Sequence, residues 1–283
     1  MFGTPFKIVT LINGRFVKRR EAKISVFDNA LLYAEGLFEA FLAIDDRVVF
    51  LDEHLRRLYK GSKLLGLKIP VNKDRLKNWI YRTARGHPDH IKKVRLTITS
   101  GDSPKWAGTQ GKQQVIVTAS SHRMPTRPFK LFVSDYRLDQ KSLFRRIKTL
   151  SYIIHAASLK QARKKRCDDA LLLNENNYIS EITTANIFWA KDGRIYTPPL
   201  TSGCLEGVTR LKAINELRKM SFKVNEKNKS IADFLRADEI FITSSLKLAL
   251  GVSQIIYNDQ KYHFKPGPVT AGLSRQFIEL VRI

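Results

Sequence analysis

Cysteine is scarce in this chain of 283 residues, and its two cysteines cannot build a disulfide framework. The paired Cys and His spacings of a zinc site are absent. No apolar run approaches the ~18 residues that a membrane-spanning helix needs. The first residues lack the charged start and long apolar segment of a signal peptide. We therefore expect a soluble, cytoplasmic protein that holds no metal and does not enter a membrane.

Acidic residues are also scarce, because 26 Asp and Glu stand against 50 Lys and Arg, a net charge of +24. Such an excess is typical of proteins that bind nucleic acid. The cations are dispersed, however, with 30 of the 50 in the first 150 residues. No helix-turn-helix or aromatic RNA-binding motif accompanies them. We do not expect a nucleic-acid partner, and we interpret the charge as a basic surface that attracts anionic substrates or cofactors.

Long disorder is excluded as well, since 43% of the residues are hydrophobic. Strand and helix patterns occur in both halves of the chain, without the regular alternation of a parallel sheet. They favour an α+β fold. Residues 120–128 contain two prolines and little periodicity, which predicts a linker. We therefore expect an N-terminal α+β domain at 1–119 and a larger C-terminal domain of mixed, barrel-like β structure at 129–283.

The common nucleotide-binding, zinc-protease and serine-hydrolase motifs are missing. Three other segments carry a recognisable pattern: Asp52–Leu58, Glu181–Arg210 and Asp238–Ser245. In these segments, and over nearly the whole chain, the sequence resembles the class IV aminotransferases. These are fold type IV enzymes that use pyridoxal 5'-phosphate. The resemblance implies the two-domain fold of the D-amino-acid aminotransferases, this cofactor and a homodimer.

The resemblance also implies roles for individual residues around the cofactor. Lys148, just before a predicted helix, matches the family's lysine that forms an imine with the cofactor. Glu181 matches the carboxylate that faces the pyridine nitrogen and makes the ring a better electron sink. Arg57 matches the arginine that binds the phosphate, and its neighbour Arg56 lies about 100° away round the same helix. We therefore favour Arg57.

The rest of the predicted phosphate site comes from two other segments. Val208 and Thr209 open a helix after Gly207, where backbone N–H groups and a hydroxyl favour an anion. Ser244 and Ser245 match the position of the family's last hydroxyl ligand. Each hydroxyl alone is more simply a cap or turn residue, and only their joint occurrence supports a phosphate site.

Fewer residues of the sequence match the family's substrate-binding positions. Tyr33 and Phe38 match the segment that lines the family's substrate pocket. Lys105 lies where D-amino-acid aminotransferases carry an arginine for the substrate carboxylate, but Ala107 replaces their histidine. That replacement disfavours a D-amino-acid aminotransferase. Tyr152 either reaches the cofactor or packs its helix, and the sequence does not choose between these roles.

Two reactions of the family fit this sequence. The segments Thr184–Trp189 and Ser244–Leu246 favour 4-amino-4-deoxychorismate lyase, which releases pyruvate and 4-aminobenzoate. The segment Tyr196–Gly203 fits a branched-chain amino-acid aminotransferase equally well. We expect the lyase first, the branched-chain aminotransferase as its alternative, and the D-amino-acid enzyme last.

Overall fold

A computed structural model of the protein describes residues 8–103, 109 and 111–282. Contacts divide the chain into two compact units. The first unit extends to Met124 and also includes Ile147–Ser151. The second unit contains Pro125–Arg146 and Tyr152 onward. The main division therefore falls inside the predicted linker, while the short segment that contains Lys148 belongs to the first unit.

Within the described residues, the first unit has six strands and three α-helices. The strands are β1 (Ile8–Ile12), β2 (Arg15–Val17), β3 (Gly36–Ile44), β4 (Arg47–Val48), β5 (Ile91–Thr99) and β6 (Val115–Ser121). The helices are α1 (Asn29–Tyr33), α2 (Leu51–Leu65) and α3 (Lys73–Arg85). The strands form one antiparallel sheet in the order β2-β1-β6-β5-β3-β4.

The two faces of this sheet differ because side chains alternate along each strand. In β5, Val94, Leu96 and Ile98 are fully buried in the hydrophobic core that the sheet shares with α2 and α3. Lys93 and Arg95 alternate with them and are only half-buried. The sheet therefore keeps one apolar face for its core and carries cations on the other.

The segment Ile147–Ser151 lies beside the start of β3. The N–H of Phe38 donates to the Lys148 carbonyl at 2.9 Å, and the N–H of Leu150 donates to the Gly36 carbonyl at 3.0 Å. A Cβ atom on Gly36 would lie 2.5 Å from the Ile98 carbonyl oxygen. It would also lie 2.6 Å from the Leu150 Cδ1 atom, so glycine at this position allows the close approach of β5 and of the Leu150 side chain.

The described part of the second unit has nine strands and four α-helices. The strands are β7 (Phe129–Leu138), β8 (Asp169–Asn174), β9 (Ile179–Ile182), β10 (Asn186–Lys191), β11 (Arg194–Thr197), β12 (Val224–Glu226), β13 (Glu239–Ser244), β14 (Leu248–Tyr257) and β15 (Gln260–His263). The helices are α4 (Ile153–Lys164), α5 (Val208–Lys219), α6 (Ile231–Phe234) and α7 (Pro268–Val281).

These strands form one mixed sheet in the order β12-β11-β10-β13-β14-β7-β8-β9, with β15 paired to β14. The pairs β7–β8, β7–β14 and β11–β12 are parallel, and the other pairs are antiparallel. The predicted α+β fold class is confirmed. None of the helices in the described ranges has the length and apolar character that a membrane span requires.

A buried carboxylate fixes the turn that follows β9. Asp169, at the start of β8, accepts hydrogen bonds from the hydroxyls of Thr183 and Thr184 and from the Thr183 N–H. Asp169 is 1% exposed, so water cannot solvate its charge, and these three donors take the place of the missing water molecules. The turn beside Glu181 is therefore held from within the sheet.

Candidate functional site

The predicted site residues are distributed over the two units. The first unit contains Tyr33, Phe38, Arg57 and Lys148, and the second contains Glu181, Val208, Thr209, Ser244 and Ser245. Lys105 lies outside the described residues. The geometry around each group is described within its own unit.

In the first unit, Arg57 forms a buried ion pair with Glu39 of β3. Its Nε and Nη2 atoms donate to the two carboxylate oxygens at 2.8 and 2.5 Å. The Nδ1 atom of His54 lies 2.7 Å from the same carboxylate. His54 and Arg57 are three residues apart on α2 and therefore face the same side of that helix. Glu39 thus fixes the direction in which the Arg57 guanidinium points.

Burial and the neighbouring charges shift the pKa of Glu39 in opposite directions. Burial would raise the pKa of the Glu39 carboxyl, but the charge of Arg57 and the hydrogen bonds from His54 and Arg57 outweigh it and lower the pKa to about 2. Burial lowers the pKa of His54. At neutral pH Glu39 is therefore ionised, and Arg57 is its principal counter-charge.

The two neighbouring arginines of α2 have different environments. Arg57 has only 9% of its side chain exposed. Arg56 is on the exposed side of the helix. Only Arg57 is therefore held in a fixed direction by a buried carboxylate, although its role toward a phosphate stays a prediction.

Phe38 is the centre of a second cluster in the first unit. The Lys148 Nζ atom lies 4.5 Å from the centroid of its ring, and the Arg95 guanidinium carbon lies 3.8 Å from it. The Arg95 Nε atom donates to the Thr97 hydroxyl at 3.1 Å. A nearby lysine, Lys93, has its pKa lowered by burial and by the charges of Arg95 and Lys148. The face therefore combines an aromatic surface with several cations, a set that suits a carboxylate with an apolar substituent.

Tyr33 is the last residue of α1 and is 44% exposed. Ala34 follows it with a left-handed backbone, φ 56°, which ends the helix. Its predicted contact with substrate stays a prediction.

In the second unit, Glu181 of β9 is 4% exposed and accepts hydrogen bonds at both carboxylate oxygens. Arg145 Nη2 donates to Oε1 at 2.5 Å, and His155 Nε2 lies 3.3 Å from the same oxygen. The Leu205 N–H donates to Oε2 at 2.9 Å. Burial alone would raise the pKa of Glu181, but the His155 hydrogen bond and the charge of Arg145 outweigh it, so the pKa is lowered.

The N-terminus of α5 begins at Val208, after Gly207. No side chain caps this end of the helix. A Cβ atom on Gly207 would lie 1.9 Å from the Asn186 Oδ1 atom, so a larger residue would displace Asn186. Asn186 in turn donates through Nδ2 to the Leu205 carbonyl at 2.9 Å. Glycine at this position therefore lets Asn186 lie directly beside the start of α5.

Hydroxyl groups gather near this helix end. The Thr209 Oγ1 atom lies 3.4 Å from the Ser245 Oγ atom. The Ser244 Oγ atom is buried without a hydrogen-bond partner in the described structure. It is one of six such atoms in the described structure, and an unsatisfied buried hydroxyl costs about 1–3 kcal/mol, so a ligand oxygen placed here would lower that cost. The cluster fits a phosphate, which accepts hydrogen bonds from both hydroxyls and backbone N–H groups.

Sequence reasoning missed the residues that hold the predicted ones in place. These are Glu39, His54, Arg95, Arg145 and His155. The spacing of His54 and Arg57 on one helix face signals a shared buried partner, but nothing in the sequence identifies Glu39 as that partner. Across the described residues, no group of three or more His, Cys, Asp and Glu side chains is arranged to hold a metal ion.

Known proteins resemble this chain along almost its full length. A sequence model of the family "Amino-transferase class IV" matches residues 36–255. A Methanocaldococcus jannaschii protein named as a branched-chain-amino-acid aminotransferase is 31% identical over 281 residues, which cover 95% of each chain. The aminodeoxychorismate lyase of Bacillus subtilis is 26% identical over 269 residues, covering 93% of this chain and 91% of the lyase.

A solved structure extends the similarity to the fold. The branched-chain amino acid aminotransferase from Escherichia coli is 26% identical and superposes with a TM-score of 0.85. The match covers 96% of this chain and 94% of that one. The fold type that the sequence predicted is therefore confirmed.

We predict that the Glu39→Gln variant flattens the acid dependence of stability. The pKa of Glu39 is lowered from 4.5 to about 2. The ion pair of Glu39 with Arg57 therefore contributes its full stabilisation above pH 4.5, and this contribution is lost as the pH falls toward 2. Between neutral pH and pH 3 the wild type should lose about 2 kcal/mol more than the variant. Urea unfolding of the cofactor-free protein between neutral pH and about pH 3 measures the difference.

The exposed carboxylate Glu21 provides the control for this measurement. Glu21→Gln should retain the wild-type acid dependence. If Glu39→Gln and the wild type lose stability in parallel as the pH falls, Glu39 is not the depressed carboxyl that we infer.

Proposed function

The chain belongs to the class IV aminotransferases, whose cofactor is pyridoxal phosphate, and from this premise we propose that it is a transaminase for amino acids with aliphatic, branched side chains. The Phe38 surface carries this proposal. Its ring offers apolar contact to an aliphatic side chain, and the Arg95 guanidinium beside it can bind the α-carboxylate. The similarity to the M. jannaschii protein over 95% of both chains supports the same reaction.

The residues present fit the cofactor. Bound pyridoxal phosphate supplies an electron sink that makes the α-proton of an amino acid removable. Lys148 would attach it and carry the α-proton at Nζ. Glu181 would hold the proton of the ring nitrogen. The phosphate would be bound by Arg57, by the backbone of Val208 and Thr209, and by the hydroxyls of Thr209, Ser244 and Ser245. The unsatisfied Ser244 hydroxyl is the observation that supports this fit.

The surroundings of Lys148 suit a proton carrier. Its backbone is fixed by pairing with β3, so the ammonium end is the part that can move. The Lys148 Nζ atom lies 4.5 Å from the centroid of the Phe38 ring, so the ring faces the ammonium group on one side. A proton transferred within such a half-buried cluster moves between positioned groups rather than through bulk solvent.

The lyase, which the sequence analysis favoured, is the second candidate. The B. subtilis lyase is similar to this chain over 93% of its length. Lys93 is compatible with this reaction, because a second cation beside Arg95 suits a substrate with two carboxylates, as aminodeoxychorismate has. Glutamate, the common amino donor of transaminases, has two carboxylates as well, so Lys93 is compatible with both reactions.

We predict that the cofactor-loaded protein forms glutamate from L-leucine and 2-oxoglutarate. Lys148→Ala should abolish this reaction, because the variant lacks the amine that attaches the cofactor and carries the α-proton. The exposed lysine variant Lys141→Ala should retain it. Glutamate and pyruvate are measured separately, with D-alanine and aminodeoxychorismate as the other substrates. Release of pyruvate from aminodeoxychorismate without an oxo-acid acceptor, and no glutamate from L-leucine, would establish the lyase instead.

A second prediction compares the two arginines of α2. Arg57→Ala should weaken the binding of pyridoxal phosphate about 10- to 150-fold, because a hydrogen bond to a charged group is worth ~1.5–3 kcal/mol. Arg56→Ala should leave the affinity close to that of the wild type. Fluorescence titration of the cofactor-free proteins gives both dissociation constants. An equal or larger loss in Arg56→Ala would contradict the choice of Arg57.

We further infer that two copies of the chain associate. Exposed apolar residues are concentrated around α1, namely Ile24, Val26, Phe27, Leu31 and Leu32. Val26 and Phe27 are 64% and 65% exposed. A patch of this kind marks an interaction surface, and a second copy is the partner that the resemblance implies. A cytoplasmic location also stays a prediction.

Replacing both Phe27 and Leu31 by Asp should convert the dimer into a monomer, because each carboxylate would have to be buried in the interface. Light scattering after size-exclusion chromatography measures the mass. Phe16→Asp is the matched control, since Phe16 is 49% exposed but lies on β2, outside this patch. A wild-type protein of monomeric mass would refute the dimer.

A further inference from the structure

Arg145 is the residue that contacts Glu181 at the shortest distance. It lies in a 3-10 turn, Leu143–Arg146, and has 18% of its side chain exposed. One end of its guanidinium is anchored, because Nε donates to the Gly203 carbonyl at 3.1 Å. The other end, Nη2, donates to the Glu181 Oε1 atom at 2.5 Å. Arg145 therefore connects the loop after β11 to the carboxylate of β9.

His155 of α4 reaches the same oxygen from another direction. Its Nε2 atom is 3.3 Å from Glu181 Oε1, and its ring stacks on Tyr152 with centroids 4.3 Å apart. The stacking fixes the plane of the imidazole. Glu181 is thus approached by side chains from two separate elements and by the Leu205 N–H from a third.

The hydrogen bonds that Glu181 already accepts limit how many further donors its carboxylate can bind. A carboxylate has about four lone-pair positions for hydrogen bonds. Arg145 and the Leu205 N–H use two of them, and His155, whose Nε2 atom also lies 3.5 Å from Arg145 Nη2, uses a third in the form that carries a proton on Nε2. The remaining position suits one further N–H donor. Three fixed donors also determine the plane of the carboxylate, and so the direction of that last position.

We propose that Arg145 is a positioning residue that acts through Glu181, and that its guanidinium, with the His155 ring, holds this carboxylate ionised and aimed at the ring nitrogen of the cofactor. The proposal rests on the proposed role of Glu181 toward the cofactor. It assigns a task to two residues that do not themselves touch the reacting atoms.

The need of the buried Glu181 carboxylate for a counter-charge supports the same role for Arg145. Glu181 is nine-tenths or more buried, so without a counter-charge it would tend to take up a proton. A protonated carboxyl has lost part of its capacity to accept an N–H donor. Besides Arg145 and His155, the titratable group that faces Glu181 is Cys204, and burial raises the pKa of its thiol to about 11, which leaves it uncharged at neutral pH. Arg145 is therefore the permanent positive charge beside Glu181.

The first test removes the charge of Arg145 and keeps a donor. Arg145→Gln should slow removal of the α-proton about 10-fold or more, since a hydrogen bond to a charged group is worth ~1.5–3 kcal/mol. Arg145→Lys should recover much of the loss, because it restores the charge. Arg146→Ala is the matched control, because Arg146 is the exposed neighbour of Arg145, and it should react at the wild-type rate. Single-turnover measurement with α-deuterated amino acid isolates this step.

A double-mutant cycle with Glu181→Gln decides whether Arg145 acts through Glu181. In the Glu181→Gln background, Arg145→Gln should change the rate by no more than about 2-fold. Full additivity of the two losses would overturn the proposal, because Arg145 would then act elsewhere. A wild-type rate in Arg145→Gln would overturn it as well. A wild-type rate in Glu181→Gln alone would instead refute the proposed role of Glu181.

A readout on the cofactor-free protein separates this role from a structural one. Infrared difference spectra with isotope-labelled glutamate, taken against Glu181→Gln, report whether Glu181 is ionised. In the wild type and in Arg146→Ala, Glu181 should stay ionised as the pH is lowered from neutral toward the usual range of a glutamate. In Arg145→Gln, the protonated carboxyl should form at higher pH, because burial then acts without the arginine charge. An unchanged protonation profile would overturn the proposal.

Discussion

Burying a carboxylate is the constraint on which both units depend. A buried charge is costly unless it is paired and hydrogen-bonded. Glu39 and Glu181 are each less than 5% exposed, and each contacts one arginine and one histidine. The strands that carry the two glutamates can therefore occupy their positions only if the segments with the partner cations are placed correctly. Charge neutralisation inside the protein thus positions the side chains that the cofactor is expected to meet.

In the first unit, this constraint links the two faces of the sheet. Glu39 and Phe38 are neighbours on β3, so their side chains point to opposite faces. Glu39 faces α2 and pairs with Arg57. Phe38 faces the other way, toward Lys148 and Arg95. A shift of one residue in the register of β3 would turn the Phe38 and Glu39 side chains to the opposite faces of the sheet, and both clusters would be lost.

In the second unit, close packing and an unsatisfied polar group occur side by side. Gly207 is required because Asn186 occupies the space where a Cβ atom would lie. The nearby Ser244 hydroxyl is one of six buried side-chain polar atoms that lack a partner in the described structure, whereas most buried polar groups in proteins are paired. A tightly defined helix end with an open hydrogen-bond capacity is suited to an anion. The +24 charge of the chain favours the approach of such an anion from solution.

The sequence by itself determined the α+β fold class, because strand and helix periodicity is local. Its resemblance to the class IV aminotransferases identified the family and, with it, the cofactor. The resemblance to the family also favoured Arg57 over Arg56 as the phosphate ligand, and that role stays a prediction. Only the tertiary structure decided the partners of the glutamates. Arg145 is 36 residues from Glu181 along the chain, and no local pattern encodes a contact that depends on where two distant segments pack. The same reason applies to Arg95 and Phe38, which meet through the pairing of β3 with β5.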